Sequence, residues 1–214
     1  MDSVVPSSGI ECYVATRPQQ GKTSNEDATL ISRGQIPCAV LCDSAGNAQQ
    51  TAKRVLALFD KLLIEATHEE VLDQATWRKW VKLLDSLLLG GNQSTFVAVA
   101  IINGVAVGAC TGDSRAYLLD RNGELRILSD GASKFRLGSG KAEPFPIHQK
   151  LNPGDILLLV SDGAWTPLGI YQLKKAVQSA LGRHFSEVPV AILDAAGKAG
   201  RADDMTAVAL RLLR

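Results

Sequence analysis

The feature that most constrains the fold is a pair of Asn-Gly dipeptides, each lying between two apolar runs. Asn103-Gly104 joins the runs at residues 95–102 and 105–111, and Asn122-Gly123 joins two shorter runs further on. Asn-Gly between such runs is the strongest short-range hairpin signal, because both turn residues tolerate positive φ. The middle of the chain is therefore predicted to form an antiparallel meander.

Other segments have the periodicity of helices or of strands. Apolar residues recur at helical spacing over residues 48–66 and again over residues 77–87. Further helices are predicted at residues 171–181 and 188–198, and further strands at residues 11–17, 28–32, 37–43, 156–161 and 205–213. Strands and helices are grouped in pairs and do not alternate, which favours an α+β fold over a βαβ fold.

The segment at residues 130–152 interrupts this pattern. It is rich in Gly, Lys and Pro and has no sustained periodicity. Long loops without secondary structure in a compact domain are often functional. We therefore predict a long loop with at most short pieces of structure, and a flap on the substrate side of the protein.

Composition bounds the class of protein. The chain has 214 residues, of which 46% are hydrophobic, so a single domain over residues 1–214 is predicted. Its 23 Lys+Arg and 22 Asp+Glu give a formal charge of +1, which offers no basic excess for a nucleic acid or an anionic membrane. No run approaches the roughly 20 apolar residues of a membrane span, and no secretory signal is visible. The cysteines sit in apolar runs, where a reduced thiol packs as a small hydrophobic group, so we expect a cytoplasmic protein.

Acidic residues recur beside the predicted strands. They are Glu26 and Asp27, Asp43, Asp113, Asp162, and Asp203 with Asp204. Carboxylates that converge on one rim repel each other unless cations neutralise them, which predicts a site for hard divalent metal ions. Taken one at a time, each Asp also fits a simple role as a turn or capping residue.

Short segments along nearly the whole chain resemble the motifs of the metal-dependent Ser/Thr protein phosphatases of the type 2C (PPM) family, in that family's order. They are Asn25-Glu26-Asp27-Ala28, Asp43-Ser44-Ala45-Gly46-Asn47, Ser94-Thr95, Gly112-Asp113-Ser114-Arg115, Pro153-Gly154-Asp155, Ser161-Asp162-Gly163 and Asp203-Asp204-Met205-Thr206. The chain is identified as a bacterial-type member with a short flap and a degenerate D-G-x-G-G motif.

This resemblance implies an antiparallel β-sandwich flanked by pairs of helices on both sides, a four-layer αββα fold. It also implies two Mn²⁺ or Mg²⁺ ions, with Asp43 bridging them, the Ser44 carbonyl binding one, and Asp162 and Asp203 holding the other. Glu26 and Asp27 would act through coordinated waters, and Asp113 with Asp162 would form a third, weaker site. Asp43, Asp162 and Asp203 are thus the predicted catalytic residues.

The chemistry that follows from the resemblance is hydrolysis of phosphoserine or phosphothreonine. A hydroxide bridging two metals about 4 Å apart would attack the phosphorus in line, because the metals activate it and screen the phosphate charge. Oxygen ligands suit these hard cations. The implied partners are a phosphorylated protein substrate and a Ser/Thr kinase with its targets, with no nucleic acid and no membrane.

The chain also departs from the family pattern. Lys22 stands where the family commonly has Arg, and Arg17 lies nearby as a possible substitute, so both are candidate phosphate ligands. Lys offers a point charge in place of a planar fork. Ser44 replaces a Gly and resists positive φ, and Asp204 replaces an Asn. These departures keep a second function open, a non-catalytic phosphatase-like module for regulation or phosphoprotein binding, while the retained acids favour the enzyme.

Overall fold

The computed structural model describes residues 9–45, 49–200 and 203–213. The strands in this part of the chain are β1 (Ile10–Arg17), β2 (Asp27–Ser32), β3 (Cys38–Asp43), β4 (Phe96–Ile102), β5 (Val105–Thr111), β6 (Arg115–Leu119), β7 (Leu125–Ile127), β8 (Phe145–Lys150), β9 (Ile156–Val160) and β10 (Met205–Leu212). The helices are α1 (Gln49–Glu65), α2 (His68–Leu72), α3 (Gln74–Leu87), α4 (Asp162–Leu181) and α5 (Val188–Gly200).

The chain divides into two compact units. We call residues Met1–Asn25, Arg115–Leu128 and Asn152–Arg214 the terminal unit, and residues Glu26–Ser114 and Ser129–Leu151 the central unit. The prediction of a single domain over residues 1–214 stays a prediction. No helix among the described residues is both long and apolar enough to cross a membrane.

The terminal unit has a five-stranded antiparallel sheet in the order β1-β10-β9-β6-β7. All five residues of β9 are buried, which explains why this segment is apolar throughout and does not alternate. Helices α4 and α5 pack on the sheet through a core that includes Leu173, Val177 and Ile192. Helix α4 spans Asp162–Leu181 and is interrupted at the non-helical Gly169 (φ 58°), so the helix predicted at residues 171–181 corresponds to its second part. The part before Gly169 was not predicted, because Pro167 is unfavourable inside a helix.

The central unit has the second five-stranded antiparallel sheet, in the order β2-β3-β4-β5-β8. Helices α1 and α3 pack on it through an aromatic cluster in which Phe59 contacts Trp77, Trp80 and Phe96. Trp77 is fully buried, and its indole Nε1 donates a hydrogen bond to the Val71 carbonyl at 2.8 Å. The apolar spacing of α3 is therefore explained by core packing.

The two Asn-Gly signals are confirmed as hairpins. Asn103 (φ 51°) and Gly104 (φ 75°) form the two-residue turn between β4 and β5, and both have the positive φ that this turn requires. The second hairpin joins β6 to β7. There the carboxylate of Asp120 accepts hydrogen bonds from the backbone of Asn122 and Glu124, and Gly123 has a φ of 80°.

The predicted loop at residues 130–152 contains one strand. Residues 145–150 form β8, which pairs with β5 at the edge of the central sheet. Sequence reasoning missed this strand because Pro144 and Pro146 argue against one. An edge strand tolerates proline, since an N–H that faces away from the sheet is not needed for pairing.

Candidate metal centre

Strand pairing brings two carboxylates of the central unit together. In the register of β2 and β3, Asp27 lies directly opposite Asp43 at the ends of the two strands. Asp27 is 7% exposed and Glu26, just before it, is 9% exposed. Like charges placed opposite each other on paired strands are destabilising, so this arrangement favours a nearby cation.

Thr95 fixes the backbone of Asp43. The Thr95 N–H donates to the Asp43 carbonyl at 2.8 Å, and the Asp43 N–H donates to Thr95 Oγ1 at 2.9 Å. Thr95 Oγ1 also lies 2.8 Å from the hydroxyl of Ser114, the residue after Asp113. One buried threonine therefore links the end of β3 to the turn that carries the next acid.

The turn after β5 positions Asp113. Gly112 has a φ of 91°, and a Cβ at this position would lie 2.9 Å from Thr95 Cγ2, so the tight turn requires glycine. A carboxylate oxygen of Asp113 lies within 4.8 Å of one of Asp43. The sequence prediction that these acids approach each other agrees with this geometry.

A guanidinium group lies beside the two acids. Arg136 Nη2 is 3.0 Å from both carboxylate oxygens of Asp113 and 3.9 Å from Asp43 Oδ2. Arg136 was not among the predicted site residues. It belongs to the Gly- and Lys-rich segment without periodicity, where no sequence signal distinguishes one basic residue from another.

Negative charge dominates the electrostatics around Cys42. Burial raises the pKa of the Cys42 thiol well above its usual range, and the negative charges of Asp43 and Asp27 raise it further, although a hydrogen bond with Ser94 acts in the opposite direction. The surrounding donors are carboxylate oxygens, which are the ligands that Mn²⁺ and Mg²⁺ prefer. The residues of the central unit therefore fit hard divalent cations.

Ser44 takes the family's glycine position without strain. Its φ lies outside the left-handed region, so the expected conflict between a serine and positive φ does not arise. Ser44 forms a β-bridge with Ser94, and its hydroxyl accepts a hydrogen bond from the Ala52 N–H near the start of α1 at 2.8 Å. Gly46 and Asn47 of the same motif lie outside the described residues.

In the terminal unit, one glycine brings two predicted ligands together. Asp162 is the first residue of α4, and a Cβ on Gly163 would lie 2.0 Å from the Asp204 carbonyl oxygen and 3.2 Å from the Asp203 Cβ. Ser161 adds three hydrogen bonds with Thr206: its N–H and its hydroxyl donate to the Thr206 carbonyl, and its hydroxyl accepts from the Thr206 N–H. The start of α4 thus lies directly against the segment of Asp203. The sequence predicted Asp162 only as a residue beside the strand at residues 156–161, whereas it begins a helix.

The remaining acids and the two candidate phosphate ligands also lie in defined positions. Asp203 is exposed, whereas Asp204 is 3% exposed and accepts a hydrogen bond from the Gln19 N–H. Arg17 forms an ion pair with Asp194, with 2.6 Å between Nη2 and Oδ1. Lys22 lies on an exposed turn.

Comparison with known proteins identifies the fold. The chain matches the family described as Stage II sporulation protein E (SpoIIE) over residues 38–213. No curated protein sequence matches it. The solved structure of the Mycobacterium tuberculosis serine/threonine phosphatase PstP/Ppp is similar, with a TM-score of 0.78 and 20% identity over 96% of this chain and 99% of that one.

Two further structures agree. The catalytic domain of PstP in complex with two manganese ions has a TM-score of 0.76 and 20% identity over 96% of this chain and 99% of that one. The S. agalactiae serine/threonine phosphatase has a TM-score of 0.79 and 17% identity over 95% of this chain and 99% of that one. These matches confirm the predicted α+β fold class and the predicted type 2C resemblance.

Proposed function

The chain belongs to the SpoIIE family, whose type 2C (PPM) phosphatase fold it shares, and from this membership we propose that it is a metal-dependent protein phosphatase. The proposed reaction is hydrolysis of phosphoserine or phosphothreonine in a phosphorylated protein. The observation that carries the proposal is the acidic group of the central unit, where Asp27 faces Asp43 and an oxygen of Asp113 lies within 4.8 Å of one of Asp43.

Asp43 is the proposed bridging ligand of two Mn²⁺ or Mg²⁺ ions. The other proposed ligands are the Ser44 carbonyl and the carboxylates of Asp162 and Asp203. Glu26 and Asp27 would act through coordinated waters, and Asp113 with Asp162 would hold a third ion. When bound, two such ions lower the pKa of a shared water to near neutrality and screen the charge of the phosphate. These assignments follow from the family motif at each position.

The side chains of this protein position groups and supply charge. Asp43 is fixed by its two backbone hydrogen bonds with Thr95, so its carboxylate is held before substrate arrives. Lys22 is the proposed phosphate ligand of the terminal unit, and Arg17 is the alternative to it. Phosphoryl transfer requires positioning and charge stabilisation more than covalent participation by the protein, and this donor set supplies both.

A second candidate function is a non-catalytic phosphoprotein-binding or regulatory module. The observation that favours it is the ion pair of Arg136 with Asp113 and Asp43, because it gives the acids a cation from the chain itself.

For the phosphatase, we propose that the substrates are proteins phosphorylated by a Ser/Thr kinase in the cytoplasm.

Turnover measurements test the enzyme directly. The purified chain is assayed on phosphoserine, phosphothreonine and phosphotyrosine peptides with Mn²⁺, with Mg²⁺ and with a chelator. We expect hydrolysis of the first two that requires metal, and a loss of at least about 100-fold in Asp43→Asn, because misplaced reacting groups cost that much. Glu65→Gln is the control and should retain activity. It removes one negative charge, as Asp43→Asn does, but at an exposed position at the end of α1. Undiminished turnover in chelator contradicts the proposal.

Thermal unfolding gives an independent readout of metal binding. A metal that binds the native state stabilises it by about 2.7 kcal/mol at 100 times its Kd. We expect Mn²⁺ to raise the melting midpoint of the wild-type protein and of Glu65→Gln, and to raise that of Asp43→Asn much less. A midpoint that does not move from micromolar to well above millimolar Mn²⁺ shows that the acids do not bind metal.

A further inference from the structure

The backbone around Arg136 is fixed on both sides by residues next to the metal centre. The Thr111 hydroxyl donates to the Phe135 carbonyl at 2.7 Å. Leu137 forms two hydrogen bonds with Ser94, its N–H donating at 2.8 Å and its carbonyl accepting at 3.1 Å. Arg136 therefore projects from a short stretch of chain that is bonded immediately before and immediately after it.

A buried carboxylate holds the loop that follows. Asp85 of α3 is 4% exposed and accepts backbone hydrogen bonds from Gly138 at 2.7 Å, Gly140 at 3.1 Å and Ala142 at 3.1 Å. Gly138 and Gly140 have φ values of 89° and 70°, which side chains rarely adopt. Burial of a charge is costly unless it is well hydrogen-bonded, so this arrangement indicates that a single loop conformation is required.

These backbone hydrogen bonds place the Arg136 guanidinium beside the carboxylates. The Arg136 side chain is 20% exposed, pairs with both oxygens of Asp113, and lies 3.9 Å from Asp43. We propose that Arg136 binds the phosphate group of the substrate, with Asp113 orienting the guanidinium and Asp85 acting as the positioning residue of the loop. This role rests on the proposed phosphatase function.

Charge supports a role beyond neutralising the acids. Asp27, Asp43 and Asp113 together carry three negative charges, so one guanidinium leaves a surplus that divalent cations satisfy. When bound cations neutralise the acids, the backbone hydrogen bonds on both sides of Arg136 and the loop held by Asp85 still fix where this residue lies. A phosphate monoester hydrolysed at Asp43 must bring its phosphorus next to that carboxylate, and so within reach of Arg136.

The geometry of the guanidinium also matters. Its planar fork matches two phosphate oxygens at once, which an ammonium does not. The position where the family commonly has Arg is occupied here by Lys22. Arg136 would therefore supply the bidentate contact that this chain lacks at residue 22.

The test measures phosphate binding as well as turnover. Inorganic phosphate is titrated by calorimetry into the wild-type protein, Arg136→Gln, Arg136→Lys and the control Arg33→Gln, at a fixed concentration of the metal that supports activity. Arg33 is exposed in the turn between β2 and β3. Since charge-assisted hydrogen bonds are at stake, we expect Arg136→Gln to raise the phosphate Kd and the KM of a phosphopeptide by about 10- to 100-fold, with kcat changed less.

The conservative variant and a double variant sharpen the assignment. Arg136→Lys should recover part of the affinity, because it keeps the charge and loses the fork. If Asp85 acts through Arg136, the single variant Asp85→Asn weakens phosphate binding, but adding Asp85→Asn to Arg136→Gln causes no further loss. Additive losses in the double variant overturn the positioning role of Asp85.

Two outcomes separate this inference from the proposed function. A wild-type protein that hydrolyses no phosphopeptide with any metal overturns the phosphatase. An active wild type whose Arg136→Gln variant keeps its phosphate Kd and KM overturns the role of Arg136 alone. In that case a tighter Mn²⁺ Kd for Arg136→Gln identifies the guanidinium as a counter-ion of the acids only.

Discussion

The two units present their acids in different ways. In the central unit, Asp27 and Asp43 face each other across paired strands, and Thr95 bonds both to Asp43 and to the turn of Asp113. In the terminal unit, Asp162 begins a helix and lies against the segment of Asp203 through one close approach at Gly163. Hydrogen bonds hold both arrangements, but the closest approach is in the terminal unit. A Cβ at Gly163 would lie 2.0 Å from a backbone oxygen, whereas a Cβ at Gly112 of the central unit would lie 2.9 Å from a side-chain carbon.

This difference indicates where each group is vulnerable. Strand register is specified over several residues, so a single conservative change in the central unit removes only part of what positions Asp43. A Cβ at Gly163 would overlap the backbone of Asp204, so the start of α4 and the segment of Asp203 would have to move apart. We expect the terminal acids to be the more easily displaced.

The largest effect is expected for Gly163→Ala. The added Cβ would lie 2.0 Å from the Asp204 carbonyl oxygen, which forces the start of α4 away from Asp203. Activity should fall by about 100-fold or more, as expected when reacting groups move by an ångström, and the melting midpoint should also fall. Phosphopeptide turnover and a thermal scan measure the two effects.

Gly197→Ala in α5 is the matched control. It lies in the same unit, on an exposed helical position where a Cβ meets nothing within 4 Å. Because alanine is favoured over glycine inside a helix by about 1 kcal/mol, this variant should be as stable as the wild type or more stable, with activity unchanged. Full activity in Gly163→Ala would show that the close approach does not set the geometry of Asp162.

A smaller effect is expected for Thr95→Val in the central unit. The substitution keeps the shape and removes the hydroxyl that accepts from the Asp43 N–H and contacts Ser114. The Asp43 N–H then lacks this acceptor, which costs about 1 to 3 kcal/mol of unfolding free energy. Chemical denaturation measures this cost, and a Mn²⁺ titration should show weaker binding.

Thr29→Val on the half-buried face of β2 is the control for this change. Because Thr29 is only partly buried, we expect its substitution to change the free energy of unfolding by less than Thr95→Val does. If Thr95→Val and Thr29→Val behave alike in both measurements, the hydroxyl of Thr95 does not hold the metal ligand, and the contrast between the two units is weaker than the hydrogen bonds suggest.

The smallest effects are expected at the two basic residues predicted as phosphate ligands in the terminal unit. Lys22 is exposed, so Lys22→Ala should raise the KM of a phosphopeptide by less than about tenfold, with Lys22→Arg tolerated. Arg17 is paired with Asp194 in a half-exposed ion pair, so Arg17→Ala should cost about 1 kcal/mol or less of stability and leave KM unchanged. A tenfold rise in KM for Arg17→Ala, with none for Lys22→Ala, would reverse this assignment.

Sequence reasoning succeeded where the signal is local. The Asn103-Gly104 hairpin follows from the φ that a two-residue turn demands, and the acids beside the strands follow from motifs a few residues long. It failed at β8 and at the start of α4, because Pro146 and Pro167 argue locally against structures that the neighbouring strand and core impose.

The sequence by itself thus determined the fold family, the antiparallel hairpins and the identity of the acidic residues. Only the tertiary structure decided which groups surround them: Thr95 on Asp43, Arg136 on Asp113, and Asp85 on the loop that carries Arg136. These partners are separated by 23 to 53 residues along the chain. Hydrophobic periodicity and turn chemistry act over a few residues, so contacts at such separations leave no local pattern and exist only once the sheet and helices have packed.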